Sequence, residues 1–86
     1  MAEEVKIGAI THFFGKVSAG IINLSDGSLK VGDKIHIKGH TSDFEQTVDS
    51  MQIDHKPVTE APKGAQAAII VKEHVREHDV VYKVAG

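Results

Sequence analysis

Leu29-Lys30-Val31-Gly32-Asp33-Lys34-Ile35-His36-Ile37-Lys38 is the stretch on which the fold turns. From Lys34 to Lys38 the residues alternate, with Ile35 and Ile37 on one side and Lys34, His36 and Lys38 on the other, the period of two expected of a half-buried strand. Gly32-Asp33 just before it is a tight-turn signal, since glycine enters left-handed backbone conformations without steric cost. Leu29 to Val31 is then a short connector. The same style of sequence runs outward in both directions: short Val and Ile runs punctuated by Gly, Asp, Ser and Pro, with no sustained helical stripe in any window of a dozen residues. The fold class is all-β.

Upstream, Val5, Ile7 and Ala9 alternate with Lys6 and Gly8 and lead into Ile10 and Phe13-Phe14, which predicts a first strand more fully buried in its later half. Lys16 to Leu24 carries Val17, Ala19 and Ile21 on one face and then Ile22 and Leu24 on the other, a phase change that predicts a bulge beside Gly20. Downstream, Gly39 to Asp43 reads as a loop. Phe44, Gln46 and Val48 then change phase to Met51 and Ile53 at Asp49-Ser50, a second bulged strand. Pro57 and Glu60 to Gly64 are breakers that allow one irregular turn, Gln66 to Val71 is a continuous apolar run fit for a central strand, and Val80 to Val84 is the last strand. Six strands with short connections predict one domain over residues 1–86, a small six-stranded antiparallel closed β-barrel.

Composition narrows the function. The chain has 86 residues, 41% hydrophobic and 26% charged, enough for one core, and no cysteine, so backbone pairing and packing carry its stability. No run approaches the length of a membrane span and the start, Met1-Ala2-Glu3-Glu4, is acidic, which predicts a cytoplasmic protein away from membranes. Ten Lys plus Arg against twelve Asp plus Glu argues against a broad nucleic-acid surface, so any RNA contact must be local.

Two chemistry-like strings fail on context. His74-Val75-Arg76-Glu77-His78 has the H-x-x-E-H form of inverted zinc proteases, but its flanks are strand-like, and histidines four residues apart on an extended segment stand ~13 Å apart, too far to share one ion. Gly15-Lys16 is followed by Val17, and Ile10 stands where a phosphate loop needs glycine, so no nucleotide site is expected. No Ser or Thr sits in a recognisable nucleophile elbow. The reading is no enzyme, no cofactor and no metal site. The feature that remains is cationic: Lys34, His36 and Lys38 share a strand face, with Lys30 and His40 at its ends, a ridge ~13 Å long that suits backbone phosphates or an acidic partner.

Two families share motifs with the chain. Gly15-Lys16-Val17, Ala19-Gly20 and Leu29 to Ile35, continued by Val48 to Met51, Val58 to Ala61, Gly64 and Asp79-Val80-Val81, resemble domain II of elongation factor Tu and initiation factor two, a translation-protein barrel. The final turn departs, with His78-Asp79 where that family has Gly-Asp. Phe44-x-Gln46-x-Val48-x-x-Met51, then Pro57-Val58-x-Glu60-Ala61-Pro62 and Gln66, is similar to the C-terminal barrel of the collagenase-like peptidase family, some of whose members take part in tRNA hydroxylation. These resemblances imply a non-catalytic, stand-alone translation-factor-like barrel that binds tRNA or the ribosome in translation or tRNA modification. The alternative is a protein-interaction subunit that docks on a peptidase-like or tRNA-modifying enzyme lacking this barrel.

Overall fold

The computed structural model describes residues 3–40 and 43–85. They form ten strands and no helix: β1 Glu3–Phe14, β2 Ala19–Asn23, β3 Leu29–Lys30, β4 Lys34–Lys38, β5 Asp43–Thr47, β6 Met51–Ile53, β7 Lys56–Val58, β8 Glu60–Ala61, β9 Gln66–Ile70 and β10 Val80–Ala85. Eight make one antiparallel sheet in the order β5-β4-β10-β1-β2-β9-β6-β7, and β3 pairs with β8 in a two-stranded sheet of its own. The all-β expectation holds.

The expected closed six-stranded barrel does not. The eight-stranded sheet has two ends, β5 and β7, and no ladder joins them among the described residues. Yet only Val48, Asp49 and Ser50 separate β5 from β6, which lie at opposite ends of that order. So short a connection forces the sheet to curl until its ends face each other. Val48 is buried at the corner, donating its N–H to the Asp33 carbonyl at 2.9 Å and accepting from Gly32 N–H at 2.8 Å. What looked like one bulged strand from Phe44 to Ile53 is thus two strands that the chain enters on either side of a gap.

Bulges fall elsewhere than expected. β2 pairs with β9 in unbroken register, and Gly20, Ile22 and Leu24 all point inward. The irregularities lie in β1: its register slips at Ile7 against β10 and at Thr11 against β2. An extra residue re-aims every side chain beyond it. Hence Ile7 and Ile10 are buried while Val5 is 56% exposed and Phe14 is 51% exposed, so burial in β1 peaks at its middle and both ends face solvent. Pro57 sits on the edge strand β7, where its missing N–H costs no ladder bond, so the breaker segment holds two short strands.

The core fills the inside of the curled sheet with Ile10, Ile22, Leu24, Leu29, Ile35, Ile37, Ile69 and Val81, all at most 1% exposed. Burying a side chain of this kind contributes roughly 1.5–3 kcal/mol. Gly32 (φ 97°) and Gly64 (φ 94°) take the left-handed backbone their turns require, as the sequence predicts.

Candidate functional site

β4 presents its two faces as its alternation predicts: Ile35 and Ile37 are buried, Lys34 and Lys38 exposed, and the His36 side chain is 14% exposed. Its neighbours decide its electrostatics. β5 pairs with β4 so that Glu45 stands opposite His36 and Asp43 opposite Lys38. Lys34 Nζ lies 3.1 Å from Glu45 Oε1. The His36 ring meets Asp43 Oδ1 through Nε2 at 2.5 Å and both Glu4 oxygens through Nδ1 at 2.8 and 2.9 Å. Hydrogen bonds donated to Asp43 and then to Glu4 raise the His36 pKa above its ordinary value, against the opposing effect of burial, and His36 holds the Asp43 carboxyl below its usual range. Three carboxylates therefore share the face with Lys34, His36 and Lys38, and the ridge is a mixed-charge surface.

The remaining two cationic candidates lie apart from it in the chain's layout. Lys30 belongs to β3 in the small sheet, opposite Glu60, with its N–H donating to Asp33 Oδ2 at 3.0 Å. His40 is exposed in the loop that follows β4.

The H-x-x-E-H string is not helical. It lies in the connection between β9 and β10, anchored by the wholly buried Val75. The His74 ring packs on Phe13 with centroids 4.5 Å apart, and Glu77 lies 4.0 Å from His12. His78 has φ 75° and donates its N–H to the Ile10 carbonyl at 2.8 Å, so this stretch has a turn's geometry rather than a protease helix.

A second surface is apolar, built from the end of β1 and the apolar runs Lys16 to Leu24 and Gln66 to Val71. On the outside of the sheet the register aligns Phe14, Ala19 and Ile70 in one row across β1, β2 and β9, and Ile21 and Ala68 beside it. Ile70 is 53% exposed, and Val17, in the turn after β1, is 61% exposed. Phe14, Val17, Ala19, Ile21 and Ala68 line a shallow depression of about 430 Å³ rimmed by Lys16, Gln52 and His55, and Ile70 lines a second shallow depression that shares Val17, Ala19 and Ala68 with it. A solvated sheet face normally alternates to polar residues. Here both faces of β2 and β9 are apolar, which is why the run from Lys16 to Leu24 seemed to change phase.

Among the described residues no helix is long and apolar enough to cross a membrane. No protein-family model matches the chain. It is 42% identical over 80 residues to an uncharacterized protease of Methanocaldococcus jannaschii, an alignment that takes in 92% of this chain and 19% of that protein. It is 29% identical over 82 residues to a collagenase of Porphyromonas gingivalis, covering 94% of this chain and 20% of the collagenase. Among solved structures, the C-terminal domain of a Geobacillus thermoleovorans putative U32 peptidase superposes with a TM-score of 0.83 at 12% identity, over 90% of this chain and 89% of that one. Its selenomethionine variant gives 0.84 at 11% identity, over 90% and 96%. Of the two resemblances carried by the sequence motifs, these relatives support the collagenase-like one. The chain spans about a fifth of the length of the curated relatives it matches, and it has the fold of a U32 peptidase C-terminal domain.

Proposed function

We propose that the chain is a non-catalytic docking domain whose outer apolar face seats against a peptidase-like catalytic body of the collagenase type. The observation that carries this reading is the outward row Phe14–Ala19–Ile70 with Val17 beside it, a contiguous apolar patch where a solvated sheet would be polar. The occupant is argued from the relatives: matching sequence makes up about a fifth of proteins named as proteases, so in them this domain has a much larger body to face. Apolar rows flanked by Lys16, Gln52 and His55 suit an interface with a dry centre and a polar rim.

An RNA contact, the other reading, would rest on Lys34, His36 and Lys38, and the carboxylates of Glu4, Asp43 and Glu45 offset those charges. Fold alone does not choose between the two, since one scaffold hosts many roles.

The test is binding of the purified chain to the Methanocaldococcus jannaschii relative with its own matching region removed. The expected result is a saturable complex that persists at high salt and is weakened about tenfold or more by Val17→Asp with Ile70→Asp, while the urea midpoint stays within that of the parent. Full binding by the double variant overturns the assigned face. Self-association through the same patch, seen by sedimentation, overturns the assigned occupant, and salt-sensitive tRNA binding lost in Lys34→Glu with Lys38→Glu overturns the reading in favour of RNA.

A further inference from the structure

We propose that Glu4, His36 and Glu45 form a site for one divalent transition-metal ion on the outer face of β1, β4 and β5, with Asp43 as the outer partner of the imidazole. One donor atom from each of the three lies within 4.8 Å of the others. Ligands ~2.0–2.2 Å from a common ion stand about 4 Å or less from each other, so a small rotation of the exposed Glu45 side chain closes the set.

The arrangement is directional. Asp43 takes Nε2, which leaves Nδ1 turned towards Glu4, whose oxygens lie 2.8 and 2.9 Å away. A carboxylate on the far nitrogen is how proteins fix the tautomer and aim of a metal-bound histidine. The ring is also seated by packing: its side chain is 14% exposed and its centroid is 6.3 Å from that of Tyr82, its register partner on β10. Glu4 reaches the ring from β1, two strands away, across β10. The competing contact is Lys34 Nζ on Glu45 at 3.1 Å, an exposed pair that an ion would displace at little cost.

One imidazole and two carboxylates, with the outer side open to water, favour zinc, cobalt or nickel over magnesium and calcium, which prefer all-oxygen sets. Glu4 stands near the start of β1 and Phe14 at its end, so the site shares no residue with the apolar face and nothing in it depends on the docking reading.

Calorimetric titration of Zn²⁺ into the untagged 86-residue chain, at about pH 8 so that proton competition is small, tests the site. Co²⁺ absorption serves as a second readout. The expected result is about one equivalent bound, weakened about tenfold or more by Glu4→Gln and by Glu45→Gln, abolished by His36→Gln and unchanged by His12→Gln. Glu4 and Glu45 are surface residues, so the first two variants keep the test valid if His36→Gln fails to fold. Absence of saturable binding below about millimolar Zn²⁺, an affinity equal to the parent's in Glu4→Gln and Glu45→Gln, or loss of binding in His12→Gln or His74→Gln overturns the proposal, the last by marking an adventitious site.

Discussion

Gln46 on β5 donates its carboxamide N–H to the Ile70 carbonyl at the end of β9, at 2.8 Å. Its oxygen accepts the Lys72 N–H, also at 2.8 Å. The β6 ladder with β9 reaches Ile69 and stops, so this one buried side chain takes over where a closing ladder would continue. Its amide mimics a peptide group, presenting one donor and one acceptor side by side.

Replacing it by Leu leaves the Ile70 carbonyl and the Lys72 N–H without their partner in a partly buried place. The expected loss is about 2 kcal/mol, within the ~1–3 kcal/mol cost of an orphaned polar group. Gln46→Glu should cost more, because a carboxylate faces the Ile70 carbonyl with no proton to give. Urea unfolding of the two variants beside the parent checks both the size and the order.

His78 occupies left-handed backbone at φ 75°, in the turn where the translation-factor pattern places glycine. A side chain there costs roughly 1–2 kcal/mol, partly offset by the extra unfolded-state freedom of glycine. His78→Gly is therefore expected to stabilise by about 0.5–1 kcal/mol and raise the thermal midpoint by a few degrees. A lowered midpoint in a thermal scan would contradict this account of the turn.

Gly39 approaches the buried Asp79 so closely that a Cβ there would overlap the carboxylate, which also accepts the Arg76 N–H at 3.0 Å. Gly39→Ala must displace Asp79 and strain the turn that leads into β10. The expected cost is about 1–3 kcal/mol. Gly39→Ala combined with Asp79→Ala should lose less than the sum of the singles, which a double-mutant cycle measures.

His36 gives the metal-free protein a pH dependence with a definite sign. Its folded pKa is raised above 6.5, chiefly by hydrogen bonds to Asp43 and Glu4. The stability it contributes is fully present below the unfolded value and is lost as pH rises through the raised folded value. Asp43 has the opposite sense: its depressed pKa gives stability that is present above its unfolded value and lost as pH falls through the folded one. In chelator, the urea midpoint should fall as pH rises past the ordinary imidazole value of 6.5, and His36→Gln should flatten that fall. A parent profile as flat as the variant's would refute the coupling.

The parts of the fold legible in the sequence are those set by neighbours along the chain. The alternation from Lys34 to Lys38, the glycine turns at Gly32 and Gly64 and the central run at Gln66 to Ile70 all depend on local period and backbone freedom. The bulges at Ile7 and Thr11 are not legible, because a slip in register leaves no mark in the strand that carries it. The apolar outer rows are not legible in the sequence, since burial on two faces and exposure on one give the same run of Ile and Ala. The candidate cation face was legible only in part. Lys34, His36 and Lys38 follow from alternation, but Glu4 meets His36 from a residue 32 positions earlier and two strands away, a contact that only the pairing order reveals.

β1 and β10 lie side by side in the middle of the sheet, pairing Glu3 with Ala85 and Ala9 with Val80. During synthesis, β1 therefore waits for β10, with every other strand of the domain between them in the chain, before it gains its partner on that side. Until β10 arrives, β4 and β5 have no ladder to the rest of the sheet, since β10 alone joins them to β1 among the described strands. Nascent chains halted before Val80 should remain protease-sensitive throughout, and the domain should form in a single late step rather than hairpin by hairpin.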